Sequence, residues 1–310
     1  MTAAMSAPSG FPTISVVIPT HARPQLLARA VKSVLGQDYP GDIECLVVFD
    51  QATPHPVPVE TGPGRSISTL VNERTPGLAG ARNAGALAAT GDVLGFLDDD
   101  DEWLRAKLRL QVELMRSERT HVVACGIYLC RDGRQIDRVA KPRVTYQDLL
   151  RSRHMEVNPC SLLVERGPFL TEIGLVDEQI PGSYGEDYEW LLRAARTGDI
   201  ISVRRPLVRI HWHGSSYFAR DWETIAAAHR YLLSKYPDFA SQPAGLARVS
   251  GQLSFALAAT GDRTNSRRWA AKALRLAPRE PRAYLAMVAS TGLIRPETML
   301  RMANAFGRGV

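Results

Sequence analysis

The sequence has only four cysteines, and none stands at a spacing that binds zinc or forms a redox pair. Cys45, Cys125 and Cys160 lie in apolar, strand-like contexts and are expected to be buried thiols. This pattern excludes a disulfide-stapled scaffold and indicates a reducing compartment.

Long apolar segments are missing as well. No window approaches the roughly 18 consecutive apolar residues of a membrane-spanning helix. Residues 1–12 are small and polar, without the apolar centre of a signal peptide, and we expect a loose tail there. The sequence therefore predicts a cytoplasmic protein.

Acidic residues are scarce towards the C-terminus. Residues 221–310 carry 13 Lys and Arg against 6 Asp and Glu, a difference of +7, whereas the whole chain carries +6. This basic region is a candidate contact for an anionic partner such as the inner face of a membrane, and a candidate homodimer surface. The alternative, which we favour, is a set of solvated helix faces. We expect no nucleic-acid partner.

The first half of the chain alternates β-branched strands with helices. Strands are predicted over residues 14–20, 43–49, 66–71 and 93–97, and helices over 24–37, 79–90 and from Trp103 onward. Strand–helix–strand order predicts parallel pairing. The fold class is therefore α/β, with a mixed, mainly parallel sheet flanked by helices.

The second half contains shorter elements and then helices. Predicted are a hairpin over 121–140, a helix opened by a Thr145–Asp148 capping box, short strands over 161–165, 200–203 and 207–210, and a helix over 185–196. A helical hairpin is predicted over 251–277 and 281–290. We divide the chain into a tail (1–12), an α/β domain (13–220) and a C-terminal α-helical extension (221–310).

Four consecutive aspartates, from Asp98 to Asp101, directly follow the predicted strand 93–97. Ionised carboxylates are costly to bury unless they are paired or bind a cation. Acids at the carboxyl end of a strand lie where α/β sheets place their ligand crevice, and oxygen ligands suit Mg²⁺ or Mn²⁺. The alternative is a solvated loop whose acids cap the next helix.

Three further polar clusters stand at predicted strand ends or loop–helix junctions. They are Asp50, the Glu186–Asp187 pair, and His211 with His213. Such ends converge on one crevice in a doubly wound sheet, which favours a ligand site over a solvated loop.

Five short motifs occur in order along the chain. They are SVVIPTHARP at 15–24, VVFD at 47–50, GLAGARNAG at 77–85, FLDDDD at 96–101 and GEDYEWLLR at 185–193. With these motifs the chain resembles a family 2 glycosyltransferase of the GT-A fold over about residues 13–216. Phe49, Gln51 and Thr75-Pro76 depart from the usual pattern and bear on which nucleotide is bound.

The resemblance implies a pocket for a nucleotide-diphosphate sugar, with UDP-sugars favoured. The residues implied there are Pro19, Thr20, His21, Arg23, Asp50, Arg82, Asp98 and Asp99. Asp50 would accept a hydrogen bond from the base, and Arg82 would approach the base or the phosphates, unless it is a surface charge. Asp98 would hold the ribose or a metal-bound water, and Asp100 the Mn²⁺ or Mg²⁺ that bridges the diphosphate. Asp99 and Asp101 would support the run or cap a helix.

The resemblance also implies an acceptor side. Asp187 would act as the catalytic base and Glu186 would orient it, the alternative being simple capping of their helix. His211 or His213 would lie near the metal, with His213 preferred, unless both are structural. Residues 146–160, which include Arg153, would shape the acceptor pocket.

The function implied is inverting transfer of a sugar, in a single displacement, to a hydroxyl of a saccharide, lipid-linked or small-molecule acceptor. One alternative is a nucleotidyltransferase, but residues 21–24 lack the glycine-rich phosphate loop that it would need. The other is a non-catalytic binding module, which the intact acidic motifs oppose.

Overall fold

The structure, a computed structural model, describes residues 10–21, 23–131, 133–212, 221–292 and 298–299. Its contacts divide the chain into two units. Unit 1 comprises the described residues of Met1–Val144, Met155–Val176 and Arg196–Trp212, and unit 2 those of Thr145–His154, Asp177–Ala195 and His213–Val310. Unit 2 thus takes up two segments from before residue 220, and the predicted domain limits stay a prediction.

Unit 1 is built on one sheet, in which the described residues form ten strands. The strands are β1 Ile14–Thr20, β2 Ile43–Phe49, β3 Arg65–Val71, β4 Val93–Phe96, β5 Glu102–Trp103, β6 Val122–Arg131, β7 Arg134–Arg138, β8 Arg143–Val144, β9 Leu163–Glu165 and β10 Ile200–His211. Their order is β3-β2-β1-β4-β9-β6-β10-β5, with β7 beside β6 and β8 beside β10. The strands β3, β2, β1 and β4 run parallel, and β9 is antiparallel to both of its neighbours.

The helices follow the strands in the predicted alternation. They are α1 Pro24–Leu35, α2 Leu78–Ala88, α3 Lys107–Glu118, α4 Tyr146–Arg151, α5 Arg166–Leu170, α6 Glu186–Thr197, α7 Trp222–Lys235, α8 Pro243–Ala259, α9 Arg263–Leu276 and α10 Pro281–Ala289. None of the helices within the described ranges is long and apolar enough to cross a bilayer. The predicted α/β class and C-terminal helical extension are confirmed.

The segment after the four aspartates differs from the prediction. Trp103 does not begin a helix, because Glu102–Trp103 pairs with β10 as a short strand and the Trp103 indole donates to the Cys160 carbonyl at 2.8 Å. Helix α3 begins later, at Lys107, with Ala106 at its cap. The expectation that Asp99 and Asp101 cap a helix is therefore wrong.

Two other predicted elements have different limits. The strands predicted over 200–203 and 207–210 are one strand, β10, whose pairing with β6 shifts register around Pro206. The helix predicted over 251–277 is broken between α8 and α9, where Gly261 adopts φ +88° and Asp262 caps α9 through the Asn265 N–H. The Thr145–Asp148 capping box is confirmed.

Helix α2 lies directly on the sheet because its glycines allow close approach. A Cβ on Gly85 would stand 2.3 Å from Val17 Cγ1, and Gly77 occupies the N-cap position of the helix at φ +111°. The Asn83 side chain both donates to and accepts from the Val176 backbone, each at 2.8 Å. These contacts fix α2, and with it Arg82, against unit 1.

The core of unit 1 contains a fully buried lysine at the start of α3. Lys107 Nζ lies 3.7 Å above the Trp103 ring and donates to the Leu162 carbonyl at 3.4 Å. Burial lowers the pKa of Lys107 from 10.5 to about 8. The unfolded chain therefore binds the proton more tightly than the native protein does.

Replacing Lys107 by Met should change how stability depends on pH. The wild-type free energy of unfolding should rise between pH 8 and pH 10.5, as the buried charge is lost in the native state before the unfolded one. Relative to Lys107→Met, this gain should be about 3 kcal/mol, measurable by urea unfolding across that pH range. The exposed Lys32→Met, which keeps Lys107, is the control and should show the wild-type gain. An equal gain in Lys107→Met would refute the assignment.

Candidate functional site

Polar side chains gather at the carboxyl ends of the parallel strands β1, β2 and β4. Thr20 ends β1 opposite Phe49 of β2, and its hydroxyl donates to Asp99 Oδ2 at 2.6 Å. His21 Nδ1 lies 2.7 Å from the Asp50 carbonyl oxygen. The strand ends thus bring the predicted donor-pocket residues of three motifs to one edge of the sheet.

The four aspartates alternate between partly exposed and buried. The Asp98 and Asp100 side chains are 35% and 21% exposed, whereas the Asp99 side chain is 1% exposed and Asp101 is 4% exposed. We call the partly exposed Asp98 and Asp100 the presented acids, and the buried Asp99 and Asp101 the anchoring acids.

The anchoring acids are held by partners from distant parts of unit 1. Asp99 accepts from Thr20 and pairs with Arg23; burial raises its pKa, and both partners oppose that shift. Asp101 accepts from the His211 backbone N–H at 2.9 Å and the Cys160 thiol at 3.3 Å. Burial, and then Asp98, raise the pKa of Asp101 well above its usual range.

The presented acids face arginines. Asp98 pairs with Arg82 Nη2 at 2.8 Å, and the Arg82 side chain is only 4% exposed. The alternative of a surface charge at Arg82 is therefore wrong. Asp100 pairs with Arg23 Nη1 at 2.8 Å, and the Arg29 guanidinium donates to its backbone carbonyl at 2.7 Å.

Carboxylates of the run could hold a divalent cation. Among the described residues, ligand atoms of Asp98, Asp101 and Cys160 lie within 4.8 Å of one another. Carboxylate oxygens suit Mg²⁺ or Mn²⁺, while burial raises the pKa of the Cys160 thiol, which stays protonated and is a poor ligand. The residues therefore fit a hard cation bound by oxygen.

Two other predicted metal ligands, Asp100 and His211, are not members of this group. His211 Nε2 lies 2.9 Å from Glu102 Oε1. His213 lies outside the described residues. Their roles at a metal stay predictions.

Asp50 and Pro19 both lie at the carboxyl ends of the parallel strands. The Asp50 carboxylate accepts from Asn72 Nδ2 at 2.7 Å and from the Gly77 backbone N–H at 3.0 Å. Pro19 is buried within β1 opposite Val48. Asp50 is thereby oriented at the start of α2, and the predicted binding roles of both residues remain predictions.

Unit 2 contains the predicted catalytic acids, in the first turn of α6. Arg153 Nη2 donates to both oxygens of Asp187, at 3.0 and 2.7 Å, and the Asp187 side chain is 12% exposed. The Asp187 carboxylate raises the pKa of Arg153. Glu186 is 5% exposed.

Sequence reasoning missed Cys160 and the support role of Arg29. Cys160 touches Asp98 and Asp101 from about sixty positions away along the chain, as a donor and an acceptor. A lone cysteine in an apolar stretch carries no local signal of such a contact. Arg153 was expected on the acceptor side, but its pairing with Asp187 was not.

A sequence model described as "Glycosyl transferase family 2" matches residues 15–168. Over these residues the chain belongs to this family. The matched segment begins at the second residue of β1 and includes β2 to β4 and the whole acidic run, so the family 2 match covers the sheet edge described above.

One relative is the Escherichia coli "UDP-Glc:alpha-D-GlcNAc-diphosphoundecaprenol beta-1,3-glucosyltransferase WfgD", 29% identical over 142 residues, which are 45% of this chain and 55% of that protein. Across the first relatives, the matches span from a third to just over a half of their length.

Solved structures of GT-A glycosyltransferases share the fold. Staphylococcus aureus TarS 1–349 in complex with UDP-GlcNAc has a TM-score of 0.58 at 15% identity, covering 96% of this chain and 92% of that one. The mannosyltransferase PcManGT from Pyrobaculum calidifontis, in complex with GDP-Man and Mn²⁺, has a TM-score of 0.55 at 18% identity, covering 96% and 85%.

Proposed function

We propose that this family 2 protein is an inverting, metal-dependent glycosyltransferase. It would transfer a sugar from a nucleotide-diphosphate donor, preferably a UDP-sugar, to an acceptor hydroxyl. The observation that carries the proposal is the convergence of Thr20, Asp50 and the acidic run at the carboxyl ends of adjacent parallel strands. Family membership and the GT-A neighbours support the same conclusion.

The donor would bind at this edge of unit 1. Asp50 would accept from the base, and Arg82 and Arg23 supply positive charge for the phosphates. Asp98, with Asp100 or Asp101, would hold Mn²⁺ or Mg²⁺, as carboxylate oxygens suit such ions. When bound, the ion would neutralise charge on the departing nucleoside diphosphate.

The transfer would be one displacement. The acceptor oxygen forms a bond to the anomeric carbon, the bond from that carbon to the donor's phosphate oxygen breaks, and the acceptor proton passes to Asp187. The nucleoside diphosphate leaves with the bonding electrons, and the anomeric configuration inverts. Glu186 would orient the base.

The acceptor is proposed to be a lipid-linked saccharide, because the name of WfgD specifies an acceptor of that class. Helix α9 supports placement at the inner face of a membrane, since it carries Arg263, Arg267, Arg268, Lys272 and Arg275 and no acidic residue. Such a helix is attracted to anionic lipid headgroups.

A donor screen tests the proposal. One UDP-sugar should raise the melting temperature in the presence of Mn²⁺ by several degrees, because a ligand that binds the native state stabilises it. EDTA should remove most of the shift. If no nucleotide sugar shifts the melting temperature, with or without Mn²⁺, the proposed function is wrong.

A further inference from the structure

Unit 2 contains a cleft that the proposed chemistry does not use. It has a cavity volume of about 40 Å³, and its lining includes Arg153, Tyr184, Tyr188, His229, Arg248 and Gln252. Arg153, on its wall, is the residue that pairs with Asp187. The cleft therefore adjoins the proposed base through a shared arginine.

The cleft wall carries positive charge. Its described lining includes two arginines and no carboxylate. His229 contributes no charge at neutral pH, because burial lowers its pKa to about 4, and its Nδ1 lies 2.7 Å from the Ile225 carbonyl. Because the Asp187 carboxylate offsets the charge of Arg153, the net positive charge of the wall comes from the guanidinium group of Arg248.

Arg248 is held among neutral groups. It donates to the Tyr188 hydroxyl at 3.0 Å and to Gln252 Oε1 at 3.3 Å, and its guanidinium lies 5.5 Å from the Tyr188 ring centre. Its Nε is buried without a hydrogen-bond partner. Burial lowers the pKa of Arg248, and Arg282 and Arg153 lower it further. A buried guanidinium repelled by two others is a site that an anion would stabilise.

We infer that this cleft binds a phosphate or diphosphate group of the acceptor. This inference rests on the proposed function. It adds to that function that the acceptor carries an anionic group and that this cleft is where the group binds. Guanidinium forks match phosphate oxygens in pairs, and the Gln252 amide offers a neutral donor beside them. The Tyr188 hydroxyl positions Arg248, since it accepts from that guanidinium and donates its own proton to the Leu149 carbonyl.

The shared arginine links anion binding to the base. In the described structure Arg153 donates to both oxygens of Asp187. An acceptor phosphate in the cleft draws hydrogen bonds from Arg153, which leaves Asp187 an oxygen for the acceptor hydroxyl. Arg153 is thus a positioning residue that exposes the base when an anionic acceptor is present.

The test measures binding of inorganic phosphate, inorganic diphosphate and farnesyl diphosphate by calorimetry, with EDTA and without donor. Arg248→Gln should weaken binding of each by about tenfold or more, the worth of a charge-assisted hydrogen bond. Arg134→Gln, which removes the same charge from the exposed strand β7 of unit 1, should bind like wild type. Arg248→Lys, which keeps the charge but loses the fork, should fall between them.

The outcomes separate the possibilities. Tighter binding of farnesyl diphosphate than of diphosphate identifies a lipid-linked group, and equal binding identifies a phosphate group without a lipid. If the wild type binds no probe at millimolar concentration, or Arg248→Gln and Arg248→Lys both bind as it does, the inference is overturned. Donor stabilisation, measured separately, reports on the proposed function alone.

Discussion

Replacing Asp187 by Asn is expected to lower the rate of sugar transfer by about 10²–10⁴-fold, the usual contribution of a general base, while donor binding is unchanged. Asparagine keeps the shape of the side chain and one oxygen for Arg153 and the Tyr188 N–H, but it cannot take the proton. Transfer is measured at saturating donor, and donor binding by calorimetry.

The matched control for this change is Asp238→Asn, which alters an exposed aspartate in the same unit. It should transfer sugar like the wild type. Loss of donor binding in Asp187→Asn would mark Asp187 as structural, and transfer within tenfold of wild type would assign the proton to another group.

Replacing Asp98 by Asn is expected to lower transfer by about 10²–10³-fold, as for other electrostatic groups at the reacting charge, and to abolish the Mn²⁺-dependent part of donor binding. Asp98 is both a member of the clustered carboxylates and the partner of Arg82, so the variant loses a ligand and a counter-charge. Donor titrations with Mn²⁺ and with EDTA measure the effect.

Two further variants test whether the loss of Mn²⁺ dependence is specific to Asp98. Asp100→Asn should lose the same Mn²⁺ dependence if Asp100 holds the ion, as the sequence predicts. Asp137→Asn, in the exposed strand β7, should change neither quantity. Full Mn²⁺ dependence in Asp98→Asn would exclude this carboxylate as a ligand.

Local patterns predicted the sheet well. The β-branched runs of β1 and β2 mark buried parallel strands, and the acids placed just after β4 follow directly from its end. The site residues Thr20 and Asp99 meet because β1 and β4 are neighbours in the sheet, an adjacency that the structure supplies.

Long-range partners could not be predicted in the same way. Arg82 was expected near the nucleotide, but α2 itself does not indicate its burial, because the helix consists mostly of small residues and no apolar stripe shows which face meets the sheet. β10 was divided at Pro206, since proline normally ends a strand, yet here it lies at a register shift. Arg248 lies in an alanine-rich helix with no motif around it.

The alternation within Asp98 to Asp101 has a consequence for comparing family members. Four identical letters look interchangeable, and an alignment could place a missing aspartate anywhere among them. The side chains are not interchangeable, because the second and fourth are anchored by Thr20 and the His211 backbone, while the first and third face outward. A homologue with three aspartates should be aligned so that its buried, hydrogen-bonded aspartates match Asp99 and Asp101. An alignment shifted by one position would match them to the partly exposed Asp98 and Asp100 instead.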